Sequence, residues 1–301
     1  MGISAVIIAW NEEKNLSRVV SSVKLLADEI IVVVDEASTD KTLAVAKRLK
    51  CQVFTHPHTG IVEPMRNFAI TKAAGSWILL LDADEQVSEG LANEVKKIVS
   101  ADKADYVRLP RKNVIFGKWI KSDHWWPDYV YRLFKKDSLV WDDAIHSLPL
   151  TRGVGIDIPA VEDKTIVHHN YKSIGEYVEQ IDRYTDFQAK LLETRGHLFK
   201  WTDLISKPSD EFLRQYYARR GYKAGLHGLA LALLQAFSEL VLYLKRWEAS
   251  GFLETDIKPD TLTKQLCQSA ADFYWWKYEA KIRNSNFVVS AWHKLMRKVG
   301  L

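Results

Sequence analysis

The sequence predicts an α/β protein, with a mostly parallel sheet flanked by helices and a helical carboxyl-terminal extension. Apolar, β-branched runs alternate with helical patterns through residues 1–100, which is the order of right-handed βαβ crossovers. Acidic side chains follow the ends of these runs. From residue 206 onward the composition shifts towards Leu, Ala, Trp and basic residues, which favours helices.

In the first hundred residues, strand and helix signals follow one another with short connections. Asn11 is a candidate cap for the first helix, Pro64 marks the start of a later one, and Gly75 ends it. The strands are predicted at 3–9, 29–34, 52–55 and 77–81, the last of which is followed by the acidic residues 82–85 (DADE). The helices are predicted at 12–26, from the cap residues 38–40 to about residue 50, at 64–74 and at 88–100.

The remaining chain carries weaker signals. Strands are predicted at 104–109 and 129–134, on either side of a basic, aromatic stretch without a clear period. Ser173 and Glu176 form a capping box for a helix that reaches about Arg195. Two further helices are predicted at 224–244 and 287–299.

The composition limits the classes of protein to which the chain can belong. The chain has 301 residues, of which 47% are hydrophobic, enough for a sizeable core. Its two cysteines give no disulfide framework, and no leader precedes the first strand, so a cytoplasmic protein is expected. A net charge of +4 gives no reason to expect nucleic acid as a partner.

The 224–244 stretch has two interpretations of equal weight. It is long enough to span a membrane, but Glu239 argues against a lipid-exposed span. With the basic, aromatic residues 245–247 it fits a helix lying on a membrane surface. A buried helix of the domain fits the same pattern.

The 77–85 stretch is the centre of the functional prediction. Its apolar run predicts a strand buried on both faces, and Asp82 and Asp84 stand at the end of it. Residues two apart share one face of a strand, so both acids can reach one cation or one sugar diphosphate in the crevice beyond the sheet. The alternative is a turn in which Asp bonds its own backbone.

Three segments carry a resemblance to a known family: residues 6–16, 33–42 (VVDEASTDKT) and 66–85 (RNFAITKAAGSWILLLDADE). In order, spacing and residue type they resemble the nucleotide-sugar half of family 2 glycosyltransferases, which have the Rossmann-like GT-A fold. Residues 117–120, 127–134, 168–177 and 212–228 resemble more narrowly the branch that includes lipopolysaccharide core β-1,4-glucosyltransferases.

The resemblance implies a donor site for a nucleotide sugar, and a UDP-sugar is the expected donor. Asp35 is expected at the nucleobase and Asp82 at the ribose, while Asp84 is expected to hold Mg²⁺ or Mn²⁺. Arg66 is a further contact for acid or phosphate. Asn11 and Glu12, at the end of the first strand, complete the predicted nucleotide-sugar contacts.

The resemblance also implies residues for the chemistry. Asp128 is the candidate base for an inverting transfer, with an Asp that merely opens a strand as the alternative. His168 is a second metal ligand, a diphosphate contact or a packed histidine. Residues 145–147 are Ile-His-Ser, where the branch has His followed by Glu. Asp142 or Asp143 is the candidate to take over the acceptor or base role of that Glu. Four tryptophans stack on acceptor sugars or pack in the core: Trp119, Trp125, Trp126 and Trp141.

The expected protein is an inverting, metal-dependent hexosyltransferase with a saccharide or lipid-linked acceptor in cell-envelope glycan synthesis, at the inner face of the cytoplasmic membrane. A polyprenyl-phosphate glycosyltransferase and an inactive carbohydrate-binding protein on the same fold are the alternatives. The predicted domains are a catalytic domain at 1–205, with a nucleotide-sugar half (1–100) and an acceptor half (101–205), and a helical, membrane-associated region at 206–301.

Overall fold

A computed structural model describes residues 2–60, 62–141, 149–285 and 287–299. The predictions for Asp142, Asp143 and residues 145–147 lie outside the described residues. The predicted α/β class, with parallel pairing predominant and a helical carboxyl-terminal part, is confirmed.

The chain forms two compact units. The first comprises residues 1–114 and 126–170, and the second comprises residues 115–125 and 171–301. Residue 205, the predicted end of the catalytic domain, lies within the second unit, because the long helix that begins at Ile174 packs against other helices of that unit. The functional division into donor half, acceptor half and membrane-associated region stays a prediction.

The first unit is built on a mixed sheet. Its spatial order is β3–β2–β1–β4–β8–β6–β12–β5, and β11 pairs with β6. The strands are β1 Ile3–Ala9, β2 Glu29–Asp35, β3 Gln52–His56, β4 Trp77–Asp82, β5 Glu85–Val87, β6 Tyr106–Ile115, β7 Lys118–Trp119 (second unit), β8 Asp128–Lys135, β9 Leu139–Val140, β10 Leu150–Thr151, β11 Gly155–Asp157 and β12 Ile166–His169.

The parallel part of the sheet lies in the core. β1 pairs in parallel with both β2 and β4, and every residue of β1 is buried. In β4 the five residues before Asp82 are also buried, so the apolar run is a central strand as predicted. Because parallel strands end at one edge of the sheet, Asp35 and Asp82 both follow buried strands on that side.

The antiparallel part places residues far apart in sequence beside one another. β8 pairs antiparallel with β4 and β6, with Asp128 opposite Arg111. The short strand β5 follows two residues after β4 and pairs antiparallel with β12, where His168 stands opposite Glu85. On its other side β12 runs parallel to β6 and sets His168 beside Asn113.

The helices of the first unit are α1 Leu16–Val23, α2 Thr42–Arg48, α3 Glu63–Thr71 and α4 Glu89–Ala101. Pro64 lies in the first turn of α3, and Ser88 caps α4 by accepting from Leu91 N at 3.3 Å, which agrees with the predicted helix starts. The prediction that Asn11 caps a helix from residue 12 is wrong. Asn11 has a positive φ of 57°, and its side chain accepts from Thr39 N at 2.8 Å, so the helix starts later.

The second unit is helical. Ser173 caps its first helix as predicted, accepting from Glu176 N at 3.1 Å. One helix, Leu226–Ala249, has the length and apolar composition of a membrane span, although only 28% of its most apolar window is buried. The helices are α5 Ile174–Thr194, α6 Asp203–Leu213, α7 Leu226–Ala249, α8 Pro259–Arg283 and α9 Phe287–Val299, with a wider turn at Arg214–Ala218 and a tighter one at Gly221–Ala224.

Candidate functional site

Asp35 ends β2 and is almost completely covered. Its side chain is 5% exposed; Oδ1 accepts from Ala37 N at 2.8 Å, and Oδ2 contacts Nδ1 of His58 at 2.9 Å. The neighbouring loop after β1 is tied to this region, since Asn11 bonds Thr39. Glu12 N donates to the hydroxyl of Thr42 at 2.7 Å, so Asn11 and Glu12 fasten the loops after β1 and β2 together.

Asp82 ends β4, and its carboxylate lies between two guanidinium groups. Arg66, from α3, donates through Nη2 to Oδ1 at 3.1 Å. Arg132, from β8, donates through Nη2 to Oδ2. The Asp82 side chain is 26% exposed, whereas that of Arg132 is 4% exposed, so the carboxylate is held from the protein side and keeps one edge open.

The arginines fix the charge of Asp82. Burial by itself would raise the pKa of this carboxyl, but the positive charges of Arg132, Arg66 and Arg111 outweigh it and lower the pKa well below its ordinary value. The effect is mutual, because burial would lower the pKa of Arg132 while the charges of Asp82 and Glu85 raise it further. Asp82 is therefore a permanent anion at neutral pH.

Glu85 is the hub of the arginine cluster, although no separate role for it was predicted from the sequence. Its side chain is fully buried, and Oε1 accepts from Arg132 at 2.9 Å and from Arg111 at 3.1 Å. Oε2 accepts from the backbone N of Asp82 at 3.0 Å. One buried carboxylate thus sets the positions of two guanidiniums and of the turn that carries Asp82.

Asp128 opens β8 and is held from one side only. Its Oδ2 receives Arg111 Nε at 2.8 Å and Asn113 Nδ2 at 3.0 Å. Among the described residues no donor bonds Oδ1, and the side chain is 25% exposed. A carboxylate clamped through one oxygen presents the other in a fixed direction to a substrate hydroxyl.

Asn113 links Asp128 to His168 and fixes the state of the histidine. Because a carboxylate only accepts, the amide NH₂ of Asn113 faces Asp128, and its Oδ1 faces His168 Nδ1 at 2.7 Å. That nitrogen must therefore carry the ring proton. The lone pair of Nε2 then points at Oδ2 of Asp84, 3.1 Å away.

When the imidazole of His168 is neutral, the contact between its Nε2 and Oδ2 of Asp84 joins two acceptors. Such a pair repels unless a cation neutralises it, either a second ring proton or a metal ion bound to both groups. A carboxylate oxygen and an imidazole nitrogen are suitable ligands for a divalent ion. Among the described residues Asp84 pairs with no arginine, unlike Asp82, Glu85 and Asp128, so its negative charge is available to a ligand.

The described residues contain no group of three or more His, Cys, Asp and Glu side chains arranged as a metal site. Asp84 and His168 place one carboxylate oxygen and one imidazole nitrogen side by side, which is two potential ligand atoms from the protein. Asp84 also anchors the strand that carries the histidine, since its carbonyl accepts from His169 N at 3.0 Å.

The structure thus brings together most of the residues that the sequence selected. A continuous chain of contacts runs from Arg66 through Asp82, Arg132, Glu85, Arg111, Asp128, Asn113 and His168 to Asp84. We call this chain the acid–arginine network. Asp35 forms a separate cluster with His58. Trp141 is 5% exposed and packs with Phe134, so it belongs to the core and not to a sugar-stacking surface.

Sequence reasoning missed Glu85, Arg111, Asn113 and His58. Asn113 and Arg111 lie two residues apart on β6, so they share a face of the sheet. The sequence alone does not show which residues lie beside this face, because that depends on the pairing of β6 with β8 and β12. For Glu85 a signal existed: an acid that directly follows two others at a strand end. Nothing in the sequence near His58 distinguished it from the neighbouring His56.

Comparison with known proteins gives a consistent result. Residues 4–152 match the family model for glycosyl transferase family 2. The chain is 29% identical over 268 residues to an uncharacterized glycosyltransferase of Rickettsia typhi, covering 82% of this chain and 87% of the relative. It is 24% identical to the lipopolysaccharide core biosynthesis glycosyltransferase LpsC of Rhizobium meliloti, covering 78% and 87%.

Among solved structures, Staphylococcus aureus TarS matches with a TM-score of 0.41 and 13% identity, over 83% of this chain and 55% of that one. The family match contains β1 to β10 and therefore Asp35, Arg66, Asp82, Asp84 and Asp128; His168 lies beyond it. The family model covers the acids at the carboxyl ends of the parallel strands. The chain therefore belongs to glycosyl transferase family 2 and has the GT-A fold of that family.

Proposed function

We propose that this glycosyltransferase is an inverting, metal-dependent hexosyltransferase that uses a nucleotide-diphosphate sugar, with UDP as the nucleotide. The observation that carries the proposal is the pairing of Asp84 with His168 Nε2 near Asp128, whose side chain is 25% exposed. This arrangement supplies two ligands for Mg²⁺ or Mn²⁺ and, through Asn113, a carboxylate connected to them.

The donor is held by residues at the carboxyl ends of the parallel strands. Asp35 accepts a hydrogen bond from the imide N–H of a uracil ring, and Asp82 accepts from ribose hydroxyls while its charge is fixed by arginines. Arg66 supports Asp82 directly, at 3.1 Å, and presents further positive charge to phosphate. Asn11 and Glu12 shape the loop over this end of the sheet.

Asp84 and His168 are the proposed metal ligands. They would hold Mg²⁺ or Mn²⁺, and that ion would supply positive charge to stabilise the leaving nucleoside diphosphate. The ring proton on Nδ1 of His168, held by Asn113, keeps the imidazole in the state and orientation needed for ligation.

Asp128 is the proposed base. Oδ2 is immobilised by Arg111 and Asn113, so Oδ1 receives the proton of the acceptor hydroxyl while that oxygen attacks the anomeric carbon. The new glycosidic bond forms on the face opposite the departing diphosphate, and the configuration inverts. No covalent enzyme intermediate is required.

For the acceptor we propose a saccharide or lipid-linked glycan of the cell envelope. The similarity to LpsC, whose name places it in lipopolysaccharide core biosynthesis, supports this class. The helical unit favours an enzyme at the inner face of the cytoplasmic membrane, since α8 and α9 expose Tyr274, Trp275, Trp292 and Leu295 alongside lysines. Cosedimentation with vesicles containing anionic lipid, lost at high salt, tests the membrane contact.

The proposal is tested by incubating the full chain with a panel of nucleotide sugars and Mn²⁺, and by measuring release of nucleoside diphosphate. We expect turnover of a UDP-sugar that EDTA abolishes and that Asp84→Asn lowers at least about 100-fold, since the substitution removes the charged ligand. Turnover equal to wild type in this variant would refute the metal assignment. Binding without any turnover would instead favour an inactive carbohydrate-binding protein.

A further inference from the structure

The carboxylate proposed to bind the nucleobase is inaccessible in this structure. The Asp35 side chain is 5% exposed although it stands at the open end of a strand. The group that contacts its Oδ2 is the imidazole of His58, at 2.9 Å, while Oδ1 is occupied by Ala37 N. A nucleobase can reach Asp35 only if one of these groups moves, and the backbone of Ala37 belongs to the turn that follows β2.

The imidazole of His58 offers Asp35 what a uracil ring would offer. Because a carboxylate only accepts, the contact at 2.9 Å requires a proton on Nδ1, so a flat ring donates an N–H to Asp35 as an imide would. The same ring lies next to the indole of Trp10, with 5.6 Å between ring centroids and 39° between planes. It thus has both an in-plane polar contact and a neighbouring aromatic face.

His58 is free to leave this position. Its side chain is 44% exposed, compared with 5% for its partner. It belongs to residues 57–60, all exposed, between β3 and α3. Gly60 in this loop has a positive φ of 75°, and a Cβ placed there would meet no heavy atom within 4 Å. Among the described residues, the exposure of 57–60 and the open space around Gly60 leave room for the imidazole to rotate outward.

We propose that His58 is a nucleobase placeholder: its imidazole occupies the donor's base position against Asp35 and Trp10, and the incoming nucleotide displaces it. The inference rests on the proposed role of Asp35 in binding the base. Displacement exchanges one N–H···carboxylate hydrogen bond for another, so His58 competes with the nucleotide. The apparent dissociation constant is then the intrinsic one divided by the fraction of molecules in which His58 is out.

Removal of the competitor provides the test. In calorimetry with Mn²⁺ we expect His58→Ala to bind UDP about five-fold more tightly than wild type. A five-fold change corresponds to a wild-type protein in which His58 is out of the base position in about one fifth of the molecules. The affinity for inorganic pyrophosphate with Mn²⁺ should not change, because that probe has no base. His56→Ala is the matched control: His56 lies two residues away, contacts Pro57 O and Phe68, and should leave both affinities as in wild type.

The possible results separate this inference from the function on which it rests. UDP binding by His58→Ala that is unchanged or weaker than wild type, in a variant with wild-type thermal stability, overturns the placeholder and leaves the donor site intact. Asp35→Asn should lose UDP affinity; if it binds UDP like wild type, Asp35 is not the base-binding residue and the donor site itself is wrong. In wild type, UDP should also shift the imidazole ¹⁵N signals that disappear in His58→Ala, whereas pyrophosphate should not.

Discussion

Two partly buried carboxylates, Asp82 of the sheet unit and Glu239 of the helical unit, have opposite electrostatic environments. In the sheet unit, Asp82 and Glu85 are bound by guanidiniums, and the pKa of Asp82 is lowered by the charges of Arg132, Arg66 and Arg111 against the effect of burial. In the helical unit, burial raises the pKa of Glu239 and the charge of Glu211 raises it further, with only partial compensation from Arg214 and Lys207.

The difference is between a carboxylate whose negative charge is compensated by arginines and one whose charge is compensated only in part. Arginines in the sheet unit keep Asp82 ionised and fix the direction of its carboxylate, which the proposed site for a cation and a diphosphate needs. Glu239 lies on α7, the apolar helix, and its charge is poorly compensated. Substitutions of Asp128 in the sheet unit and of Glu239 in the helical unit should therefore act on different quantities, turnover in the first case and stability in the second.

The largest effect is expected for Asp128→Asn. The amide keeps the size of the side chain but cannot take a proton, so kcat should fall by about 10²–10⁴-fold while the dissociation constant for UDP stays within about two-fold of wild type. Steady-state kinetics with the best UDP-sugar and calorimetry measure the two quantities.

Asp157→Asn is the matched control for Asp128→Asn. Asp157 also pairs with an arginine of β6, Arg108 at 2.6 Å, but both side chains are about 40% exposed and lie outside the acid–arginine network. Turnover should be unaffected in this variant. Normal turnover in Asp128→Asn would remove Asp128 from the mechanism, and an equal loss in both variants would point to a general effect on the sheet.

Glu85→Gln should produce the next largest effect, on stability. The substitution leaves Arg111 and Arg132 without the fully buried charge that they share, so the free energy of unfolding should fall by about 3 kcal/mol in urea denaturation. Glu94→Gln is the control, since Glu94 makes a surface pair with Lys164 and should cost less than about 1 kcal/mol. Equal costs for both variants would contradict the role of Glu85 as a hub.

The sequence predicts those residues of the candidate site whose position depends only on the local pattern of strands. Asp35, Asp82 and Asp84 each follow an apolar run, so their placement at one edge of a parallel sheet follows from the strand pattern. The partners of these acids could not be predicted in this way. Glu85, Arg111 and Arg132 meet only because β8 pairs with both β4 and β6, and single-sequence patterns do not specify antiparallel partners.

The same limit explains the errors at helix starts. Asn11 has the residue type of a helix cap, but its side chain accepts from Thr39 N, 28 positions later, and so connects two strand ends. A local signal was outweighed by a contact that only the folded sheet provides. By contrast, the Ser173 capping box needs only residues within one turn, and the structure has it as predicted.

The smallest effect, and the one that tests the helical side of the comparison, is expected for Glu239→Gln. The pKa of Glu239 is raised in the folded protein, so its ionised form opposes folding, and this cost is fully present above the folded pKa. The cost disappears as the pH falls towards the pKa of a glutamate in the unfolded chain, about 4.3. The neutral variant should therefore be more stable than wild type at pH 7.5, by about 1 kcal/mol or less, and the difference should shrink as the pH is lowered to about 5. Thermal unfolding across this range measures it, and turnover should stay at the wild-type level because Glu239 lies outside the acid–arginine network. A variant less stable than wild type at pH 7.5, or a difference that does not depend on pH, would mean that Glu239 is held by its charge as the acids of the sheet unit are.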